Sequence, residues 1–357
     1  MKKTFLVAAL AGMALSSCVN DEYVVKETAQ RLMFDNPVMN SQVRAEVQGE
    51  IVGSTYPEKE MFQVFAKSYS GDFKGWTEGT KDFFGETGVT VKRGIGGSSY
   101  WVSDSAYYWP DATTNLAFAA YSPAELGGST QISHTDSGLQ IKDFQVEPVS
   151  DNQYDLMYSD RVWDLNKDNN GSKAVELNFK HALASIVFSS AAKKQAGITY
   201  TITDLKLGGS IYTKGDFSQG LTSAGTTPYS ENANPVWSKL ENHLASPYEP
   251  SFDSFKVPES PEIFTSGTSA ILPIPQDVPE DAKVTIKYEV TNHGSTLTYE
   301  KTIKLSDFKQ NTGSAVDKWE MGNRYIYRIQ FGETSRIFFQ PTISKWNDQE
   351  VAIYTIK

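Results

Sequence analysis

Lys283-Val284-Thr285-Ile286-Lys287-Tyr288-Glu289-Val290, followed by Asn292-His293-Gly294 and then by Thr296-Leu297-Thr298-Tyr299-Glu300-Lys301-Thr302-Ile303, decides the class of this fold. Both flanks alternate apolar with polar residues, which sends successive side chains to opposite faces of a strand. Asn, His and Gly between them tolerate the positive φ angles of a tight turn, so the stretch predicts a hairpin. The same period of two recurs at residues 61–66, at 116–121, where it stops at Ser122-Pro123, and at 175–181. Further strands are predicted over 184–188, 198–202, 205–207, 324–331 and 350–356. Helical spacing is confined to two short stretches, Ser306 to Phe308 and Ser238 to Leu244. The stretch from Gly209 to Ser269 is rich in Ser, Pro, Asn and Gly, and a structureless loop of that length is improbable in a compact domain, so short strands or a surface excursion are expected there. The reading is all-β, with two β-sandwich domains in tandem, residues 45–178 and 179–357.

Composition agrees. Thr, Tyr, Val and Ile dominate over Ala and Leu, and an aromatic content of 12% supplies large buried areas. With 43 acidic against 33 basic residues the formal charge is −10, which disfavours nucleic acid as a partner. About 340 residues follow the leader, more than one compact core usually holds.

That leader is Met1-Lys2-Lys3 and an apolar run to Ala14, too short for a permanent span and followed by small residues, which predicts a cleavable export signal over residues 1–17. Leu15-Ser16-Ser17-Cys18 resembles a bacterial lipoprotein box, in which Cys18 carries the lipid; the alternative is an ordinary secretory signal with an incidental cysteine. Cys18 is the only cysteine, so the mature chain forms no internal disulfide. Each buried acyl CH₂ contributes about 0.8 kcal/mol, enough for several chains to hold the protein on the outer membrane. Val19-Asn20-Asp21-Glu22 resembles the acidic tag that sends Bacteroidetes lipoproteins to the cell surface, or else is part of a solvated tether over 18–44.

Catalytic and metal chemistry find little support. The histidines, His134, His181, His243 and His293, are scattered, no HExxH or GxSxG occurs, and no phosphate loop follows a strand; no catalytic residue, metal or cofactor is expected, and the reading is of a protein that is not an enzyme. Asn166-Lys167-Asp168-Asn169-Asn170-Gly171 begins like a calcium loop, but Leu177 stands where the bidentate Glu belongs, so a polar turn is the better reading. Tyr100-Trp101 and Tyr107-Tyr108-Trp109 are aromatic rows of the kind that strands more often bury in the core; the alternative is a platform for stacking on a sugar.

Taken in order, Arg44-Ala45, Tyr107-Tyr108-Trp109-Pro110, Leu116 to Pro123, Asp155-Leu156-Met157-Tyr158, Val175 to Ala184, Trp319 to Tyr327 and Ile343-Ser344-Lys345-Trp346 resemble the fimbrillin-like family of Bacteroidales over nearly the whole chain. The resemblance implies transthyretin-like sandwiches and a subunit of a surface fimbrium that serves cell adhesion and biofilm formation. It implies that a trypsin-like protease cuts after Arg44, or after Arg31, and that a strand from another fimbrial subunit fills the groove left behind. The chain ends at Lys357, about ten residues after Trp346, which favours a tip or minor subunit over a stalk subunit if residues 350–356 pair within their own sheet. Asp104-Ser105-Ala106 resembles the acceptor pattern for O-glycosylation in Bacteroidetes, with Ser105 as the attachment site. The rival reading is a carbohydrate-binding surface lipoprotein of a glycan-uptake system; a host or bacterial surface glycan or protein is a candidate ligand under either.

Overall fold

The computed structural model describes residues 30–39, 51, 56–94, 100–127, 130–224, 231–310, 313–332 and 337–345. The leader, Cys18, Arg44 and the strand expected over 350–356 lie outside the described residues.

The first sheet runs in the order Val38–Met39, Asn178–His181, Met157–Ser159, Thr114–Ser122, Phe62–Ser70, Val89–Arg93 and Trp101–Ser103, with Val162–Leu165 and Lys81–Asp82 as side branches. Its central strand, Thr114–Ser122, is buried on both faces. Leu116, Phe118 and Ala120 point to an aromatic core with Phe34, Tyr56, Phe62, Trp101 and Phe179. Ala117, Ala119 and Tyr121 point the other way, into a larger core that continues as far as Phe331. A near-continuous apolar run is what a strand covered on both sides requires.

That outer face is covered by a second sheet, Val236–His243, Tyr212–Ser218, Gly138–Gln145 and Gln131–Thr135. Phe217 meets Tyr158 at 5.2 Å, and the Trp237 indole N–H donates to the Ala182 carbonyl at 2.7 Å. Gly138–Gln145 thus pairs with Tyr212–Ser218, which comes after residue 179, so backbone pairing and core both run across the 178/179 division.

Two further four-stranded sheets face each other in the C-terminal half. One is Glu262–Ile263, Ser185–Ala192, Asn323–Phe331 and Ile337–Lys345; the other is Phe255–Lys256, Ile198–Gly208, Lys283–Asn292 and Ser295–Lys304. Tyr200 and Phe331 stack between them at 4.8 Å. Ser185–Ala192 runs parallel to Asn323–Phe331 and is buried throughout.

The predicted hairpin is present as ten cross-strand pairs, from Lys283↔Lys304 to Asn292↔Ser295. His293 (φ 46°) and Gly294 (φ 89°) make the two-residue turn, both in the left-handed region that the right-handed twist of the strands favours. The strands expected at 198–202 and 205–207 are one strand, Ile198–Gly208, whose register shifts between Ile202 and Asp204. The extra residue reverses the facing of the residues after it and interrupts the alternation. The stretch from Gly209 to Ser269 holds short strands, as expected. One of them, Val236–His243, corrects the helical spacing read at Ser238 to Leu244: Lys239 has a φ of 49°, and the register shifts there, between Ser238 and Glu241. Ser306 to Phe308 lies at a single 3-10 turn, Leu305–Asp307.

Candidate functional site

Residues 30–39 are a stave that closes the first sheet. On one side the Phe34 N–H donates to the Trp101 carbonyl at 2.9 Å, and Phe34 accepts from the Trp101 N–H at 2.8 Å. Leu32 N–H donates to Tyr107 at 2.8 Å, and Trp109 N–H donates to Gln30 at 2.9 Å. On the other side Asp35 N–H donates to Val175 at 2.9 Å and Val175 N–H to Met33 at 2.8 Å, after which Val38↔Asn178 and Met39↔Phe179 continue in parallel register. The two ends of the sheet, Trp101–Ser103 and Asn178–His181, therefore meet through this one segment.

Side chains follow the alternation. Leu32 and Phe34 are 3% and 2% exposed, and Phe34 packs edge-on against Phe118 at 5.8 Å and Phe62 at 6.4 Å. Arg31 points outward, its guanidinium donating to the Ser103 carbonyl at 3.1 Å. Each of the two apolar side chains contributes roughly 1.5–3 kcal/mol by burial. Each buried backbone group orphaned by departure of the stave costs about 1–3 kcal/mol. The segment is therefore firmly held, and the sheet without it would present backbone donors and acceptors on both flanks of an apolar slot.

Downstream, the chain is fastened again at Ile51, whose N–H donates to Asp155 Oδ2 at 2.8 Å; Asp155 Oδ1 also meets His181 Nδ1 at 2.9 Å. His181 is thus part of a buried structural pair.

The remaining residues singled out in the sequence separate. Arg31 lies within the stave, its backbone bridged to Tyr108, whereas a protease needs an unpaired extended segment. Tyr100 and Tyr108 are 38% and 42% exposed, but Trp101 and Trp109 are 0% and 5% exposed. The alternative reading as an aromatic platform is corrected accordingly: its tryptophans belong to the core, because alternation turns them inward beside their exposed tyrosine neighbours. Tyr107 is half-buried against Phe84 at 4.7 Å. Ser105 occupies an exposed bend, beside an ion pair of Asp104 with Lys92 at 2.5 Å.

The calcium-like stretch is one helical turn, Lys167–Asn170. Asn166 Oδ1 accepts from the backbone of Asp168 and Asn169 at 3.0 Å each, and Asn169 returns the contact to the Asn166 N–H at 2.9 Å. Those oxygens serve a capping box. Among the described residues no group of three His, Cys, Asp or Glu side chains gathers as a metal site.

The stave itself escaped the sequence reading, which placed 18–44 in a tether. Arg31-Leu32-Met33-Phe34 does alternate, but the run is short and Asn36-Pro37 ends it.

A family model described as fimbrillin-like matches residues 50–346. No curated protein matches the sequence. Among solved structures, a fimbrial protein from Bacteroides vulgatus is similar at a TM-score of 0.52 and 18% identity, over 88% of this chain and 99% of that one. A structure described as a cell adhesion protein from Bacteroides ovatus gives 0.46 at 15% identity over 90% and 100% of the two chains. A tip fimbrial protein from Porphyromonas gingivalis, truncated at its C-terminus, gives 0.31 at 11% over 81% and 95%. At such identities the likeness is one of fold.

Proposed function

The chain belongs to the fimbrillin-like family, and from that premise we propose that it is a structural subunit of a cell-surface fimbrium, at the tip or in a minor position, that supports cell adhesion and biofilm formation. The precursor is lipidated at Cys18 and reaches the outer membrane. A trypsin-like protease then cuts after Arg44, and a strand from a neighbouring subunit takes the place of the lost segment.

The observation that carries this reading is the stave. A cut after Arg44 removes residues 30–39 whole, whereas a cut after Arg31 would leave Leu32 and Phe34 in the sheet. The slot left by the first cut offers main-chain groups on both sides and apolar pockets at alternate positions, which is what strand addition uses for order and register. A tip or minor position is supported by Ile337–Lys345, a late strand that is paired along nine residues with Asn323–Phe331 of its own sheet.

Mass spectrometry of the N-terminus of protein taken from intact cells tests the proposal. An unlipidated start at Ala45 is expected, and Arg44→Ala should abolish it together with incorporation into fimbriae. Lipid retained on Cys18 in all of the protein would overturn the processed subunit and favour an anchor subunit or a glycan-binding lipoprotein.

A further inference from the structure

The second sheet is open at its edge strand Gln131–Thr135. Among the described residues the only neighbour of this strand is Gly138–Gln145, paired from Gln131↔Lys142 to Thr135↔Gly138 without a register shift. The direction of its backbone groups follows from Leu139. The Leu139 N–H donates to Gln219 Oε1 at 3.0 Å and its carbonyl accepts from the Gln219 N–H at 2.9 Å, so both point away from the edge strand. His134, directly opposite Leu139, is therefore in a non-hydrogen-bonded pair, and its own N–H and C=O face outward. Ile132, two residues earlier, repeats the arrangement.

Such an edge is a template for another strand, and proteins usually blunt it with charges, proline or a bulge. Gln131-Ile132-Ser133-His134-Thr135 has no Lys, Arg, Asp, Glu or Pro and no bulge, whereas Ser295–Lys304 carries Glu300, Lys301 and Lys304. The strand is held firmly in place: Asp136 Oδ1 accepts from the Trp76 N–H at 2.5 Å, and the His134 ring meets the Trp76 ring at 4.1 Å. A cleft of about 600 Å³ opens between it and the outer face of Phe62–Ser70. Ile132, Ser133 and His134 all line this cleft. Successive side chains point to opposite faces, so a cleft lined by all three follows the edge of the strand and not one face of it. The five residues of the strand span about 17 Å.

The lining selects the occupant. Phe65, Tyr121 and Ile132 offer apolar contact on the side turned to the first sheet. Burial holds His134 neutral, Lys67 and Asp82 are paired with each other at 2.6 Å, and Glu86, exposed at the rim, has no ion partner among the described residues. The cleft therefore carries one uncompensated negative charge, which favours a basic residue. Pairing of the edge with its own copy would bring none, since residues 131–135 contain no Lys or Arg. We infer that Gln131–Thr135 accepts an extended basic segment of another protein as a fifth strand of its sheet, with apolar side chains turned to Phe65 and Tyr121 and a Lys or Arg near Glu86. The inference goes beyond the fimbrial reading and needs no removal of the stave, whose residues line no part of the cleft.

The test is amide hydrogen exchange of the full chain, labelled with ²H and ¹⁵N, in the presence of synthetic peptides. The probes are the acetylated and amidated heptapeptide KTVTVTK, its counterpart ETVTVTE, and a form of KTVTVTK methylated at every backbone nitrogen. In the free chain the amides of Ile132 and His134 should exchange rapidly, and that of Ser133, which points to Gln140, slowly. KTVTVTK should protect the first two saturably, with a Kd of the order of 100 μM. ETVTVTE should bind about fivefold more weakly, and the methylated peptide, which has no N–H to offer, should not bind. Glu86→Lys, at an exposed turn, should reverse the preference between the two charged peptides. The inference is overturned if the Ile132 and His134 amides are already protected in the free chain, if KTVTVTK leaves them unprotected, if the methylated peptide binds as well, or if the preference survives Glu86→Lys.

Discussion

Two strands of about ten residues stand at opposite extremes in this molecule. Residues 30–39 contain Asn36 and Pro37, poor strand formers, yet they are paired on both sides and bury Leu32 and Phe34. Ser295–Lys304 is made of good strand formers, yet among the described residues it is paired on one side only, and all of its residues except Ile303 are exposed. Occupied edges and covered faces decide how firmly a strand is held, and propensity counts for less. The exposed edge carries Glu300, Lys301 and Lys304, charges that discourage pairing with another chain. The stave has no such protection because it has no free edge.

Truncating each strand gives the sharpest test of this contrast. Phe34→Ala should cost about 3–5 kcal/mol in urea unfolding, and Tyr299→Ala less than about 1 kcal/mol. Equal losses would break the comparison. Asp155→Ala should cost roughly 1–3 kcal/mol, because the Ile51 N–H and the His181 ring lose a buried acceptor. Since Ile51 lies beyond Arg44, this loss should be the same in the intact chain and in a chain starting at Ala45. The Phe34→Ala penalty, in contrast, is confined to the intact chain, so melting both forms of both variants separates the two fastenings. At the hairpin, Gly294→Ala should cost about 1 kcal/mol, since its φ of 89° suits glycine alone.

The smallest effect concerns pH. Burial raises the Glu60 carboxyl from 4.5 to about 7. Its folded pKa exceeds its unfolded one, so the folded state holds the proton longer, and stability should fall as pH rises from about 4.5 to about 7. Partial contact with solvent limits the change to about 1 kcal/mol or less. Melting curves of Glu60→Gln should lack that slope.

The legible parts of the sequence were those where one rule acts alone. The 283–304 hairpin has clean alternation and a turn that only certain residues can make. Val236–His243 was misread because a bulge near Lys239 adds a residue to the strand, so Trp237 and Leu240, both packed against the core, fall three apart as they would on a helix. The stave was missed because its stability lies in partners about 70 and 140 residues away, Trp101 and Val175, which no local pattern reveals. Trp76 and His134 likewise meet only in the fold. The tryptophans of the supposed platform were legible in principle, since Tyr-Trp pairs in a strand put one ring out and the other in.

The covalent link between stave and sheet sets a clock. A segment tethered to its own slot acts at an effective concentration of the order of millimolar, so a competing strand from a second molecule at micromolar levels is outnumbered about a thousandfold. In the proposed assembly the whole chain would be insulated from polymerising, however crowded its compartment. Under the proposed processing, severing the tether would remove that advantage in one irreversible chemical event, and the timing of assembly would follow where the protease is encountered and not how much subunit has accumulated.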